Sequence, residues 1–178
     1  MSSTSSEWQN LAKNKASEIL KEVKDSLQFN IPIPIKDIID SYLVDVCIRS
    51  VTDFDFPEGV SAFSQKDMNL GWLIIVNGKE CIERQRFSAA HELGHIVLFP
   101  NSPSKVFCSQ DNKNWDEKVC DSFAGDILMP EEMIHDIYQT NPSPLLEDIA
   151  KKFKVSRQVA EIQLKRLGLP FKRLVESF

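Results

Sequence analysis

The chain has 178 residues, of which 42% are hydrophobic and 26% charged, with a formal net charge of −5. That length suits one domain of ordinary size with an adequate core and room for a small appendage, while the modest acidity excludes bulk affinity for nucleic acid or an anionic membrane. Nothing approaches the run of roughly 18 apolar residues that spans a bilayer, and Cys47, Cys81, Cys108 and Cys120, with no Cys-x-x-Cys spacing and no signal peptide, read as reduced thiols of a cytoplasmic protein. Met1 to Ser6 is a Ser/Thr-rich stretch of the kind that stays disordered. From Glu7 to Leu27, the apolar residues Trp8, Leu11, Ala12, Ile19, Val23 and Leu27 recur at helical spacing and predict a packing helix. The IPIPI run at Ile31 to Ile35 breaks it, because proline removes backbone donors and disfavours helix before it, and a short helix from Lys36 to Tyr42 follows. Strands are predicted at Val44–Val51, Val60–Ser64 and Trp72–Val76, with Asn77-Gly78 as a turn. Trp72–Val76 or its neighbour is the expected exposed edge, where an extended peptide could add by main-chain pairing.

The next element carries the strongest chemical signal, His91-Glu92-Leu93-Gly94-His95. On a helix, residues four apart sit one above the other, so His91 and His95 present two imidazoles to one ion. Glu92 stands about 100° round the helix, where it can face an open coordination position and take a proton from water. An ordinary helix with two surface histidines is the bland alternative. Phe87, Ala89, Ala90, Leu93, Ile96, Val97 and Leu98 argue against it, since they make the helix apolar almost all round and therefore buried; buried imidazoles need partners.

A catalytic zinc site takes three protein ligands. The His-x-x-Gly-x-x-His extension of this motif is excluded, because Leu98 and Asn101 stand where Gly and His would be needed. The segment Trp115 to Pro130 supplies a better third ligand. Wound as a helix, it places Val119, Cys120, Phe123, Ala124, Ile127 and Leu128 on an apolar arc, with Lys118, Ser122, Gly125 and Asp126 on the opposite side. Glu117 and Asp121 fall at the edge of the arc. Two like charges one turn apart facing a core are unfavourable unless a cation or donor lies between them. Glu117 as third ligand and Asp121 as partner to the far nitrogen of His91 or His95 removes the conflict. The competing reading of Glu117 is a helix cap, three residues after Asn114. Cys108, between the two helices, is a candidate inhibitory ligand, although a free cysteine is more often inert packing.

The stretches RQRFSAAHELGHIVL (Arg84 to Leu98) and EKVCDSFAGDILMP (Glu117 to Pro130) resemble the ImmA/IrrE family of bacterial metallopeptidases. That family's pattern is R-x-R-F-T-x-A-H-E-x-x-H followed by E-x-x-A-N-x-F-A-A-x-L-L-M-P. The resemblance covers both helices and runs more weakly through most of the chain. It implies one Zn2+ per chain, ligands at His91, His95 and Glu117, and a general base at Glu92. Ser88 replaces the usual Thr, Cys120 the usual Ala and Asp121 the usual Asn; Asp121 still offers an acceptor to a histidine N–H, as in a thermolysin-like site. The implied fold is α+β and zincin-like, with a small twisted sheet, two metal-bearing helices and a mainly helical C-terminal segment. The resemblance further implies a cytoplasmic protein, often of mobile elements, that cleaves or disables a partner repressor carrying a helix-turn-helix.

Beyond Met129-Pro130, His135 and Tyr138 are candidate donors to a developing oxyanion, with exposed helix residues as the plainer reading. Arg84 and Arg86 are expected to make structural charge pairs, with steering of an acidic substrate segment as the alternative for either. Leu145 to Leu169 reads as two short helices around Lys154-Val155-Ser156, with Ser156 as N-cap and Gly168 as stop, and resembles a helix-turn-helix. From Leu145 to Phe178 there are eight Lys or Arg against four Asp or Glu. A DNA-reading helix there would present Arg157, Gln158, Glu161 and Lys165 to a major groove, but Glu161 suits phosphate poorly, and docking of a protein substrate is the stronger reading. Residues 1–140 are thus expected to form the catalytic body and 141–178 a helix-turn-helix-like segment. Three functions stand: a zinc endopeptidase specific for one regulator, a DNA-binding regulator with a vestigial metal fold, and a non-catalytic anti-repressor. An intact Glu92 favours the first, since a purely structural ion has no use for a base.

Overall fold

Ala12, Ala16, Ile19 and Val23 recur every three or four residues and are all buried, which gives the first helix, α1 (Ser3–Lys24), one continuous apolar stripe. The computed structural model describes residues 3–27, 30–43, 46–67, 71–100, 105–107 and 115–174. Leu11, which the periodicity places in that stripe, is instead 44% exposed. Ser3 to Ser6, assigned to a disordered tail on composition, lie within α1; once the helix is held by packing, each added residue gains a hydrogen bond for fixing only its own backbone. The proline-rich run turns the chain into α2 (Ile35–Tyr42), which buries Ile35, Ile38 and Ile39.

Three strands form near the expected positions, β1 (Val46–Val51), β2 (Ala62–Asp67) and β3 (Gly71–Asn77), and an unexpected fourth, β4 (Lys105–Phe107), completes a sheet in the order β1-β3-β2-β4. β1 runs parallel to β3, whereas β2 is antiparallel to both β3 and β4. The expectation that Trp72–Val76 is an exposed edge is corrected: β3 is paired on both sides, and among the described residues the edges are β1 and β4. β3 is the most apolar strand, with Ile74 and Val76 almost inaccessible, so the interior of the sheet is where it gains most. β4 spans three residues, too few to show a period of two.

Helix α3 (Ile82–Leu98) packs on this sheet, and α4 (Trp115–Leu128) packs on both α3 and α1. The α3–α4 approach is close because residue 94 lacks a side chain. A Cβ on Gly94 would meet Phe123 Cδ1 at 3.0 Å and the backbone Cα of Cys120 at 3.4 Å. The apolar arc of α4 is as expected, with Val119, Cys120, Phe123, Ala124, Ile127 and Leu128 all inaccessible. Its other side is not uniformly solvated: Lys118 is exposed, but Gly125 and Asp126 are buried.

What covers them is α7 (Arg157–Arg166), the second of a C-terminal helix pair with α6 (Leu146–Phe153), reached through α5 (Glu131–Thr140). Lys154 takes the left-handed conformation (φ 51°) between the two helices, where glycine is the commoner solution. The Ser156 side chain caps α7 by accepting from Val159 N–H at 3.2 Å, and Gly168 (φ 67°) follows its end. Leu146, Ile149, Ala150, Phe153, Val155, Ala160 and Leu164 belong to the same buried cluster as the apolar residues of α1, α3 and α4. No described helix is long and apolar enough to cross a membrane.

Arg86 is the tie between the two halves. The expected charge pair does not form; its guanidinium instead donates to the carbonyls of Ile33 (2.8 Å), Lys154 (3.1 Å) and Phe153 (3.5 Å). Burial lowers its pKa, with Glu83 opposing. Arg84 does pair with a carboxylate, Glu80 at 3.8 Å, and donates to Ser61 Oγ at 3.0 Å. Removing a charged donor from buried carbonyls costs about 2–3 kcal/mol. Arg86→Ala is therefore expected to lower unfolding stability by about that amount in urea titrations. Arg86→Lys should recover less than half, since an ammonium cannot span the three carbonyls.

Candidate metal centre

Two helices bring the expected ligands together. His91 and His95 project from one face of α3, with their Nε2 atoms 3.1 Å apart. Glu117, in the first turn of α4, lies 3.3 Å from His91 Nε2 through Oε2 and 3.2 Å from His95 Nε2 through Oε1. One ligand atom from each residue falls within 4.8 Å of the other two, the only such trio of His, Cys, Asp or Glu among the described residues. Both histidines are buried and Glu117 is partly so. Two imidazoles and one carboxylate with a face open to a cleft form the donor set of a catalytic zinc site, so the residues fit the ion.

Asp121 sits one turn beyond Glu117 and holds the other nitrogen of His91, Nδ1, at 3.0 Å. That bond leaves Nε2 as the nitrogen facing the trio and fixes the ring plane. Glu92, on the same helix, is 1% exposed and lines the same cleft. Cys120 lies between Glu117 and Asp121 in sequence, but burial pushes its thiol pKa far up, reinforced by the negative charge of Glu117 and Glu92. It stays a thiol and packs as a small hydrophobe. Cys108 and Asn114, a candidate inhibitory ligand and a candidate cap, lie outside the described residues.

The charges show what the site lacks on its own. Burial would lower the His91 pKa, but hydrogen bonds to the Asp121 and Glu117 carboxylates, with Glu92 nearby, outweigh it and raise the value to about 9. Burial likewise opposes ionisation of Glu117, yet the two imidazoles hold its carboxyl well below the usual carboxylate range. In the metal-free protein, a proton on His91 thus offsets part of the clustered negative charge, a task a divalent ion would take over. Below pH 9 that proton must leave before Nε2 can ligate. Zinc binding between pH 6 and 8 is therefore expected to release close to one proton, with apparent affinity rising roughly tenfold per pH unit. Calorimetry in buffers of different ionisation enthalpy measures both; affinity independent of pH would contradict the assignment of His91.

Other expected residues fall elsewhere. His135 lies on α5, 48% exposed and 3.5 Å from Glu131, and the Tyr138 hydroxyl donates to the Pro170 carbonyl at 2.9 Å. Neither lines the cleft bordered by His91, Glu92 and Glu117. Of the four α7 residues expected to meet a major groove, three are in ion pairs: Arg157 with Glu147 (2.8 Å), Lys165 with Glu161 (2.6 Å), and Glu161 also with Arg173 (2.5 Å). The fourth, Gln158, lines the metal cleft, together with Val159, Ile162, Gln163 and Arg166. The sequence reading missed this wall. A second apolar pair on α7, Val159 and Ile162 three residues apart, was the available signal.

Comparison with known proteins finds relatives over much of the chain. The model of the IrrE N-terminal-like domain family matches residues 49–165. The chain is 31% identical over 119 residues to the radiation response metalloprotease IrrE of Deinococcus radiodurans, covering 57% of this chain and 36% of that protein. It is 30% identical over 99 residues to metallopeptidase ImmA of Bacillus subtilis, covering 54% of this chain and 57% of that one. This chain therefore spans about a third of the first relative's length and just over half of the second's. A Mycobacterium tuberculosis transcriptional regulator shares the fold with a TM-score of 0.56 at 13% identity, over 88% of this chain and 46% of its own.

Proposed function

The chain belongs to the ImmA/IrrE metallopeptidase family, and from that premise we propose that it is a zinc-dependent endopeptidase of the cytoplasm that cleaves one partner protein, a transcriptional repressor with a helix-turn-helix. The observation that carries the reading is the convergence of His91, His95 and Glu117 within 4.8 Å of one another beside a buried Glu92. Zinc, when bound by these three, would polarise the scissile carbonyl and lower the pKa of water at the open position. Glu92 would accept the proton of the attacking water and deliver it to the leaving amine. Asp121 would hold the His91 ring in place throughout. In this reading residues 1–140 form the catalytic body, and 141–178, the helix-turn-helix-like segment, docks the protein substrate. Relief of repression follows from loss of the intact repressor, and the family's habits on mobile elements make such a repressor the first substrate to try.

The test is direct. The zinc-loaded chain is incubated with helix-turn-helix repressors of the same cell, any encoded beside it first, and the products are followed by mass spectrometry. Cleavage at one discrete bond is expected, blocked by a zinc chelator and restored by added zinc. An intact repressor after prolonged incubation with fully loaded protein would sink the proposal. A buried Glu92 beside the trio also argues against a purely structural ion, which needs no base.

A further inference from the structure

The cleft bordered by His91, Glu92 and Glu117 has a volume of about 720 Å3, and α7 forms part of its wall. On that wall Ile162 is 56% exposed, although Ala160, Gln163 and Leu164 around it are buried. Val159 lies beside it on the same helix, and Phe87 and Trp8 line the cleft from α3 and α1. The Phe87 ring centroid is 6.4 Å from that of His91, so the apolar lining begins next to the ligands. A single exposed isoleucine is unremarkable, but one set in a concave wall among other apolar side chains is how a binding pocket is lined.

The distance of this wall from the trio is set by a clamp. Gln163 Nε2 donates to Asp126 Oδ1 at 3.4 Å, while Arg166 donates to Ser122 Oγ at 2.6 Å and pairs with Asp126. Ser122 and Asp126 belong to α4, the helix that carries Glu117 and Asp121. Gly125 lets the helices come this near, since a Cβ there would stand 2.7 Å from Gln163 Nε2. The wall is therefore tied to the helix that supplies the third ligand.

We propose that α7 is the specificity-determining wall of the cleft, with Ile162, Val159, Phe87 and Trp8 forming an apolar subsite for one bulky aliphatic or aromatic side chain of the substrate, close to the bond that is cut. The inference rests on the peptidase reading and adds the chemistry of what is selected. A peptide with its scissile carbonyl at the trio advances about 3.3 Å per residue, so a side chain one or two residues away reaches Phe87. Burial of a leucine-sized group corresponds to roughly a 10- to 100-fold gain in binding.

Two hydroxamates, which ligate zinc without being cleaved, test this on the full chain loaded with zinc. One is acetohydroxamate; the other carries an isobutyl group on a succinyl backbone. Wild type is expected to bind the isobutyl probe at least about tenfold more tightly. Ile162→Asn should abolish most of that preference, and Ile162→Leu should keep it. Zinc content measured by mass spectrometry and thermal midpoint serve as controls, since Ile162 is exposed and its replacement leaves the core intact. Equal binding of both probes by wild type, or an unchanged preference in Ile162→Asn, overturns the subsite and leaves the metal site standing. Failure of both probes to bind zinc-loaded protein overturns the peptidase reading, and this inference with it.

Discussion

Glu92→Gln is expected to retain about one zinc per chain and to cleave the substrate at least ~100-fold more slowly, and up to ~10,000-fold. The substitution keeps the volume and shape of a side chain that is 1% exposed, so packing between α3 and its neighbours is undisturbed. What disappears is the ability to take a proton, because an amide cannot serve as a base. The carboxylate is also one of the charges that raise the His91 pKa. The variant therefore binds zinc with a slightly smaller proton release, a second signature available from the same calorimetry. Cleavage within a few-fold of wild type would remove Glu92 from the mechanism. Release of the repressor without cleavage by the variant would favour the non-catalytic anti-repressor.

Glu117→Ala is expected to lose zinc altogether at micromolar concentrations of ion, measured by mass spectrometry of the metal content. Loss of a partner that merely orients a ligand costs roughly 10- to 100-fold in metal affinity, and loss of one of three direct ligands costs more. The experiment also separates the two roles the residue could have. If Glu117 served only the first turn of α4, its removal would cost about 1 kcal/mol of stability and leave zinc in place. Its position within 3.3 Å of both imidazoles argues for ligation.

Much of the site was legible because its chemistry is written in local spacing. His91 and His95 are one turn apart on a strongly apolar helix, and Glu117 with Asp121 makes sense beside a core only if a cation or a donor answers them. The helices at both ligand segments and the Lys154 turn followed from periodicity and caps, and the α+β, zincin-like fold from the family resemblance. Three things were not legible, each for lack of a local signal. Strand order depends on which pairing buries most apolar surface, so the interior place of β3 could not be read from Trp72–Val76 alone. Arg86 reaches carbonyls separated from it by more than fifty residues, and no spacing rule reports such a partner. The basic count of the C-terminal segment left a DNA-reading face as the weaker option beside protein docking, whereas Arg157, Glu161 and Lys165 are engaged in ion pairs and α7 forms part of the cleft wall. His135 and Tyr138 were named for nearness in sequence to Met129-Pro130, and α5 carries them elsewhere.

The close contact at Gly94 bears on how the two ligand-bearing helices keep their spacing. They meet through Phe123 and the backbone at Cys120, atoms that take no part in the donor set. An alanine at position 94 would have to displace Phe123 or that backbone, so the spacing of the trio depends on a residue that supplies none of its ligand atoms.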